Sequence, residues 1–109
     1  TLDVLTKQLS IFSEIHEDVS SNIVIAYEPV WAIGTGDTAT TDMISSAHND
    51  IRNILDSNGL NGAECSILYG GSVNDNNASE ISNIDDVDGF LIGGASLDVD
   101  KFYTIYNQL

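Results

Sequence analysis

The chain has 109 residues, with 17 acidic side chains against three cations (Lys7, Arg52 and Lys101) and a formal net charge of −14. Three scattered cations draw no basic patch, which excludes a nucleic-acid surface; the charge fits a strongly solvated exterior, and the scarcity of Lys beside an excess of Asp also suits a salt-rich cytoplasm. A single cysteine, Cys65, excludes a disulfide framework and fits a reducing cytoplasm, no apolar run is long enough to span a bilayer, and 42% apolar residues are too many for a disordered acidic tail.

Residues 1–17 read as a helix with Leu2, Leu5, Leu9, Phe12 and Ile15 on one stripe. His16 falls near its end, a surface position where a cation suits the helix dipole. Residues 23–27 follow as a nearly unbroken apolar run, the pattern of a parallel strand covered on both faces. Directly after it comes Glu28-Pro29-Val30-Trp31-Ala32-Ile33-Gly34-Thr35-Gly36, an acid beside a proline-stiffened loop that carries a Trp and two glycines. Thr41-Asp42 reads as the N-cap of a helix with Ile44, Ala47, His48, Ile51, Ile54 and Leu55 at helical spacing, ending before Gly59. His48 sits on its apolar face, where a hydrogen-bonded core histidine is expected; Cys65, with no activating neighbour in sequence, reads as a small apolar filler.

A short strand at residues 67–69 runs into Tyr69-Gly70-Gly71-Ser72-Val73, followed by a weak helix over residues 78–83. A third strand, residues 90–92, runs into Gly93-Gly94-Ala95-Ser96-Leu97 and a last helix over 99–109 that should bury Phe102, Ile105 and Leu109. The order α-βα-βα-βα indicates parallel βαβ units and an α/β fold in one domain, residues 1–109.

A strand-end glutamate alone is equally a satisfied surface acid, and one glycine pair is usually a tight turn. Three such junctions in order are more specific. Each glycine pair stands where a strand hands over to a helix, so backbone N–H groups can approach an anion with no side chain between. Glu28 with its loop, then Tyr69-Gly70-Gly71-Ser72-Val73, then Gly93-Gly94-Ala95-Ser96-Leu97, resembles the triosephosphate isomerase family over essentially the whole chain.

The resemblance implies a partial (β/α)8 barrel, strands 6 to 8 with their helices, at the C-terminal part of a longer chain. Such a barrel needs eight strands and about 250 residues, and three strands cannot close it. It further implies interconversion of dihydroxyacetone phosphate and glyceraldehyde 3-phosphate through an enediol, without cofactor or metal, by a cytoplasmic homodimer of glycolysis and gluconeogenesis. In it Glu28 matches the catalytic base, Pro29, Val30, Trp31, Ala32, Ile33, Gly34, Thr35 and Gly36 match the closing lid, and Gly34, Ser72, Gly93 and Gly94 match the phosphate donors. Asp37 stands at the second hinge, where relatives often carry a basic or apolar residue, and Arg52 with Asp86 matches a structural ion pair. The family's Lys, Asn and electrophilic His belong to earlier segments; neither Lys7 nor Lys101 follows a strand, and neither His16 nor His48 transfers to those roles. Two rival readings stay open on sequence: a truncated half-barrel that keeps only part of a phosphate nest, and another phosphate-binding barrel sharing the glycine loops, against which the Glu28 lid argues.

Overall fold

A computed structural model describes residues 2–15, 17–29 and 39–109. His16, most of the expected lid (Val30, Trp31, Ala32, Ile33, Gly34, Thr35 and Gly36) and Asp37 lie outside the described residues. In chain order the elements are α1 (Leu2–Leu9), 3₁₀ segments at Ser10–Glu14 and Glu17–Asn22, β1 (Val24–Tyr27), α2 (Thr41–Ser57), β2 (Ser66–Tyr69), α3 (Ala78–Ser82), β3 (Gly89–Phe90), a 3₁₀ turn at Gly94–Leu97, and α4 (Val99–Tyr106).

The three strands form one parallel sheet in the order β1-β2-β3, with Val24 opposite Ser66, Tyr27 opposite Tyr69, and Leu68 opposite Gly89. Pairing continues past β3, because the Leu91 N–H donates to the Tyr69 carbonyl at 3.0 Å. Side chains alternate between the faces of a strand, and here the two faces differ. Ile67 and Tyr69 are fully buried and Ile25 and Tyr27 pack beside them, whereas Val24 is 64% exposed and Leu91 45%. Helices therefore cover one face only among the described residues, which corrects the expectation of a strand buried on both.

Two adjoining clusters make the core. Leu5 and Leu9 of α1 meet Ile51, Ile54 and Leu55 of α2 over Cys65 and Ile67. Ile44, Tyr69, Val73, Ala78, Ile81 and Ile105 form the second, toward the carboxyl ends of the strands. Burial pushes the Cys65 thiol up from its ordinary range, so at 2% exposure it is the apolar filler expected of it.

Local chemistry sets the element ends. α1 stops at Leu9, well short of residue 17, where the Ser10 hydroxyl donates to the Lys7 carbonyl and the chain tightens to 3₁₀. The N-cap of α2 is Thr40, one residue earlier than read from sequence, and its hydroxyl accepts from the Met43 N–H at 3.2 Å. At the other end Gly59 takes φ +88°, the left-handed turn that ends many helices and that glycine adopts at least cost. α4 is capped by the Asp98 carboxylate, which accepts from the Asp100 and Lys101 N–H groups. It buries only Ile105; Phe102 and Leu109, expected in the core, stay exposed.

Arg52 ties α2 to both later strands. Its guanidinium donates to the Gly62 and Cys65 carbonyls at 2.8 and 2.9 Å and to the Asp86 carbonyl at 3.0 Å. The expected ion pair with Asp86 is there at 3.6 Å, but the closer carboxylate is Asp88 at 2.8 Å, which the sequence reading left out. Asp88 also accepts from the Ile67 N–H at 2.8 Å, so one carboxylate links β2, the approach to β3 and α2.

Candidate functional site

Glu28, which opens the first expected loop, meets the two glycine loops at the carboxyl ends of the strands, where ligands of parallel α/β sheets bind. Glu28 follows β1, Gly70-Gly71-Ser72 follows β2, and Gly93-Gly94 lies just past β3. They line one cavity of about 310 Å³ together with Val73, Leu91 and Ile92. Glu28 is exposed and lies across Gly70: a Cβ added there would stand 2.7 Å from the Glu28 Cγ. The Gly70 N–H donates to the Tyr27 carbonyl at 2.8 Å, which seats this crossing against β1. No Lys or Arg lines the cavity among the described residues, so an anion there would meet backbone N–H groups rather than a cation. Just past β3 the chain winds into the 3₁₀ turn Gly94–Leu97. Gly34, the remaining expected donor, lies outside the described residues.

The sequence profile of the family described as triosephosphate isomerase matches residues 1–109. The chain belongs to the triosephosphate isomerase family. A triosephosphate isomerase of Rhizobium meliloti (strain 1021) is 51% identical over 107 residues, 97% of this chain and 41% of its own length. One from Entamoeba histolytica is 48% identical over 112 residues, 100% of this chain and 43% of its own. A relative named cytosolic, from Stellaria longipes, is 43% identical over 111 residues, again 100% of this chain and 43% of its own; another match is named chloroplastic. The chain thus spans well under half the length of these curated relatives. No helix among the described residues is long and apolar enough to cross a membrane.

In this family member a buried ring cluster underlies the cavity. His48 is fully buried; its Nδ1 lies 3.1 Å from the Asp86 carbonyl, which can only accept, so the proton is on Nδ1 and Nε2 keeps a lone pair that no donor meets among the described residues. Its ring stands edge-on to the half-buried Tyr27 at 5.8 Å between centroids and tilted to the fully buried Tyr69 at 6.3 Å. Burial lowers the His48 pKa; the Asp86 carbonyl partly opposes this, the Arg52 charge adds to it, and Asp86 and Asp88 pull the other way. Burial raises both tyrosines, and Tyr27 raises Tyr69 further, with the Ala39 backbone pulling it back. Tyr27 immediately precedes Glu28 and Tyr69 immediately precedes Gly70, so this cluster seats both loops.

Two features escaped the sequence reading. A second cavity of about 430 Å³ shares Ser72, Val73 and Gly94 with the first and is also lined by Asp75, Asp98 and Lys101. Behind Ser72, the Asn74 and Asn77 side chains each accept from the other's backbone N–H, and Asn77 also donates to the Ser72 carbonyl. Two asparagines three apart after a glycine turn are a recognisable Asx pattern, and that spacing was the available signal.

Proposed function

We propose that this chain supplies strands 6 to 8 of a (β/α)8 barrel, and that the complete barrel interconverts dihydroxyacetone phosphate and D-glyceraldehyde 3-phosphate. The observation that carries this is the meeting of Glu28 with both glycine loops around one cavity at the carboxyl ends of three consecutive parallel strands. The uncovered sheet face, with Val24 and Leu91 in water, supports a position inside a larger closed sheet, where inward side chains fill the barrel.

The Glu28 carboxylate removes the proton from the carbon bearing the substrate hydroxyl and the electron pair moves into the neighbouring carbonyl to give an enediolate; the hydroxyl proton passes to the former carbonyl oxygen, and the same carboxyl returns its proton to the other carbon as the first oxygen becomes the new carbonyl. The phosphate sits on N–H groups around Ser72, Gly93 and Gly94, joined by Gly34 from the lid. Neutral donors hold a dianion there without placing a competing cation beside Glu28. Closure of residues 29–36 excludes water from the enediolate. The electrophile that polarises the carbonyl, the homodimer contacts and the substrate-binding Lys come from the rest of the protein. The cytosolic relative supports a cytoplasmic enzyme.

The test is Glu28→Gln in the complete barrel. The amide is nearly isosteric and the side chain is exposed, so the fold survives, while the loss of a sole proton shuttle costs about 10⁴-fold or more in kcat. Retention of more than about a tenth of kcat, far above what loss of a general base leaves, would remove Glu28 from that role.

A further inference from the structure

We infer that Asn77 is a positioning residue of the anion site: it locks the Ser72–Val73 peptide with its carbonyl turned away from the bound anion. The inference rests on the phosphate site proposed above and extends it to a residue outside the cavity lining.

Asn77 stands at the N-cap of α3, where an asparagine normally accepts a hydrogen bond from the helix's own first turn. It makes no such bond. Both of its polar atoms face back along the chain instead. Nδ2 donates to the Ser72 carbonyl at 2.7 Å, and Oδ1 accepts from the Asn74 N–H at 2.8 Å. Asn74 returns the contact, its Oδ1 accepting from the Asn76 and Asn77 N–H groups at 2.8 and 3.0 Å. Helix capping therefore does not account for Asn77. Only a side chain with a donor and an acceptor on one short stem fits, and aspartate lacks the donor.

The consequence for the site is electrostatic. With no cation among the described residues lining the 310 Å³ cavity, an anion is held by partial positive charge on N–H groups. In a trans peptide the N–H and C=O point in opposite directions, so fixing the Ser72 carbonyl fixes the Val73 N–H. Ser72 and Val73 both line the cavity, and the buried Val73 side chain holds the far end of this peptide. Rotation of the peptide plane between these anchors would exchange a donor for a carbonyl oxygen facing the anion. The Asn77 bond opposes that rotation.

The experiment uses the complete barrel with inorganic sulfate as a competitive probe, comparing the unaltered protein with Asn77→Ala. The expected result is a sulfate inhibition constant raised about tenfold, the scale of one lost hydrogen bond together with a misdirected carbonyl, and a KM that rises more than kcat falls. A crystal structure of Asn77→Ala then shows the Ser72 carbonyl rotated. If Asn77→Ala does not fold, Asn77→Gln keeps both polar groups one methylene out of place, and the same direction of change is expected. An unchanged sulfate constant, or a fall in kcat with KM and the sulfate constant unmoved, overturns the inference and leaves the site standing. Failure of sulfate to compete in the unaltered protein overturns the site and the inference together.

Discussion

Gly70-Gly71 and Gly93-Gly94 look interchangeable in sequence: each closes a parallel strand and lines the same cavity. The space around them differs. A Cβ on Gly70 would stand 2.7 Å from the Glu28 Cγ, and one on Gly71 would run into the Tyr69 hydroxyl and ring. Among the described residues a Cβ on Gly93 or Gly94 would meet nothing within 4 Å, and neither has a positive φ. The first pair is glycine because other parts of the chain occupy the side-chain space. The second pair has no such packing reason among the described residues and presents bare backbone to the cavity. Two like dipeptides thus answer different demands, one internal and one suited to an anion approaching closely.

The sharpest way to break this contrast is Gly71→Ala in the complete barrel. A single added methyl must displace the Tyr69 ring, which is fully buried against His48 and the second core cluster. Overpacking of this kind costs about 1–3 kcal/mol, and the rigid ring places it at about 3. Urea unfolding measures the loss. A variant within about 0.5 kcal/mol of the parent, the range of an ordinary surface change, would show the space to be adaptable.

Gly94→Val sharpens the same contrast from the other side. Its unfolding free energy should stay within about 0.5 kcal/mol of the parent, because no neighbour is displaced. Sulfate or phosphate should compete with substrate at least about tenfold more weakly, a loss of about 1.4 kcal/mol, because the side chain fills the approach to the backbone. Equal inhibition in variant and parent would move the anion away from Gly94.

Much of this was legible because the signals are local. One apolar run ending in Glu28-Pro29 and two ending in glycine pairs marked the three strands, and the stripe Ile44, Ala47, His48, Ile51, Ile54 and Leu55 marked the buried face of α2, all six of which are buried. The meeting of Glu28 with Ser72, Gly93 and Gly94 followed from parallel order alone, which brings every strand's carboxyl end to one edge. Misses came where a partner distant in sequence decides the outcome. Asp86 and Asp88 are equivalent by composition, and only the path of β3 shows that Asp88 makes the shorter contact with Arg52. Phe102 and Leu109 carry the right period for burial, yet no described element covers them. Asn77 reads as an ordinary helix cap until its bond to Ser72 is seen.

The smallest predicted effect concerns pH and again separates the two pairs. Behind Gly71 stands Tyr69, and behind Tyr69 stands His48, fully buried, neutral, and faced by Arg52, Asp86 and Asp88. Burial holds its folded pKa below the ordinary value, so between that lower pKa and about 6.5 the unfolded chain binds a proton that the folded one does not. Stability is therefore fully present above about pH 6.5 and declines as pH falls through the window below it, by at most about 1.4 kcal/mol per pH unit. Unfolding of the complete barrel at pH 7.5 and 5.5 should show this decline, and His48→Asn, which cannot titrate, should flatten it. Amide protection at Gly70 and Gly71, relative to intrinsic exchange at each pH, should fall on acidification more than at Gly93 and Gly94, which do not adjoin a residue in ring contact with His48 among the described residues. Equal pH slopes in parent and His48→Asn would mean that the buried imidazole contributes nothing to holding the first pair, and that the brace is one of shape alone.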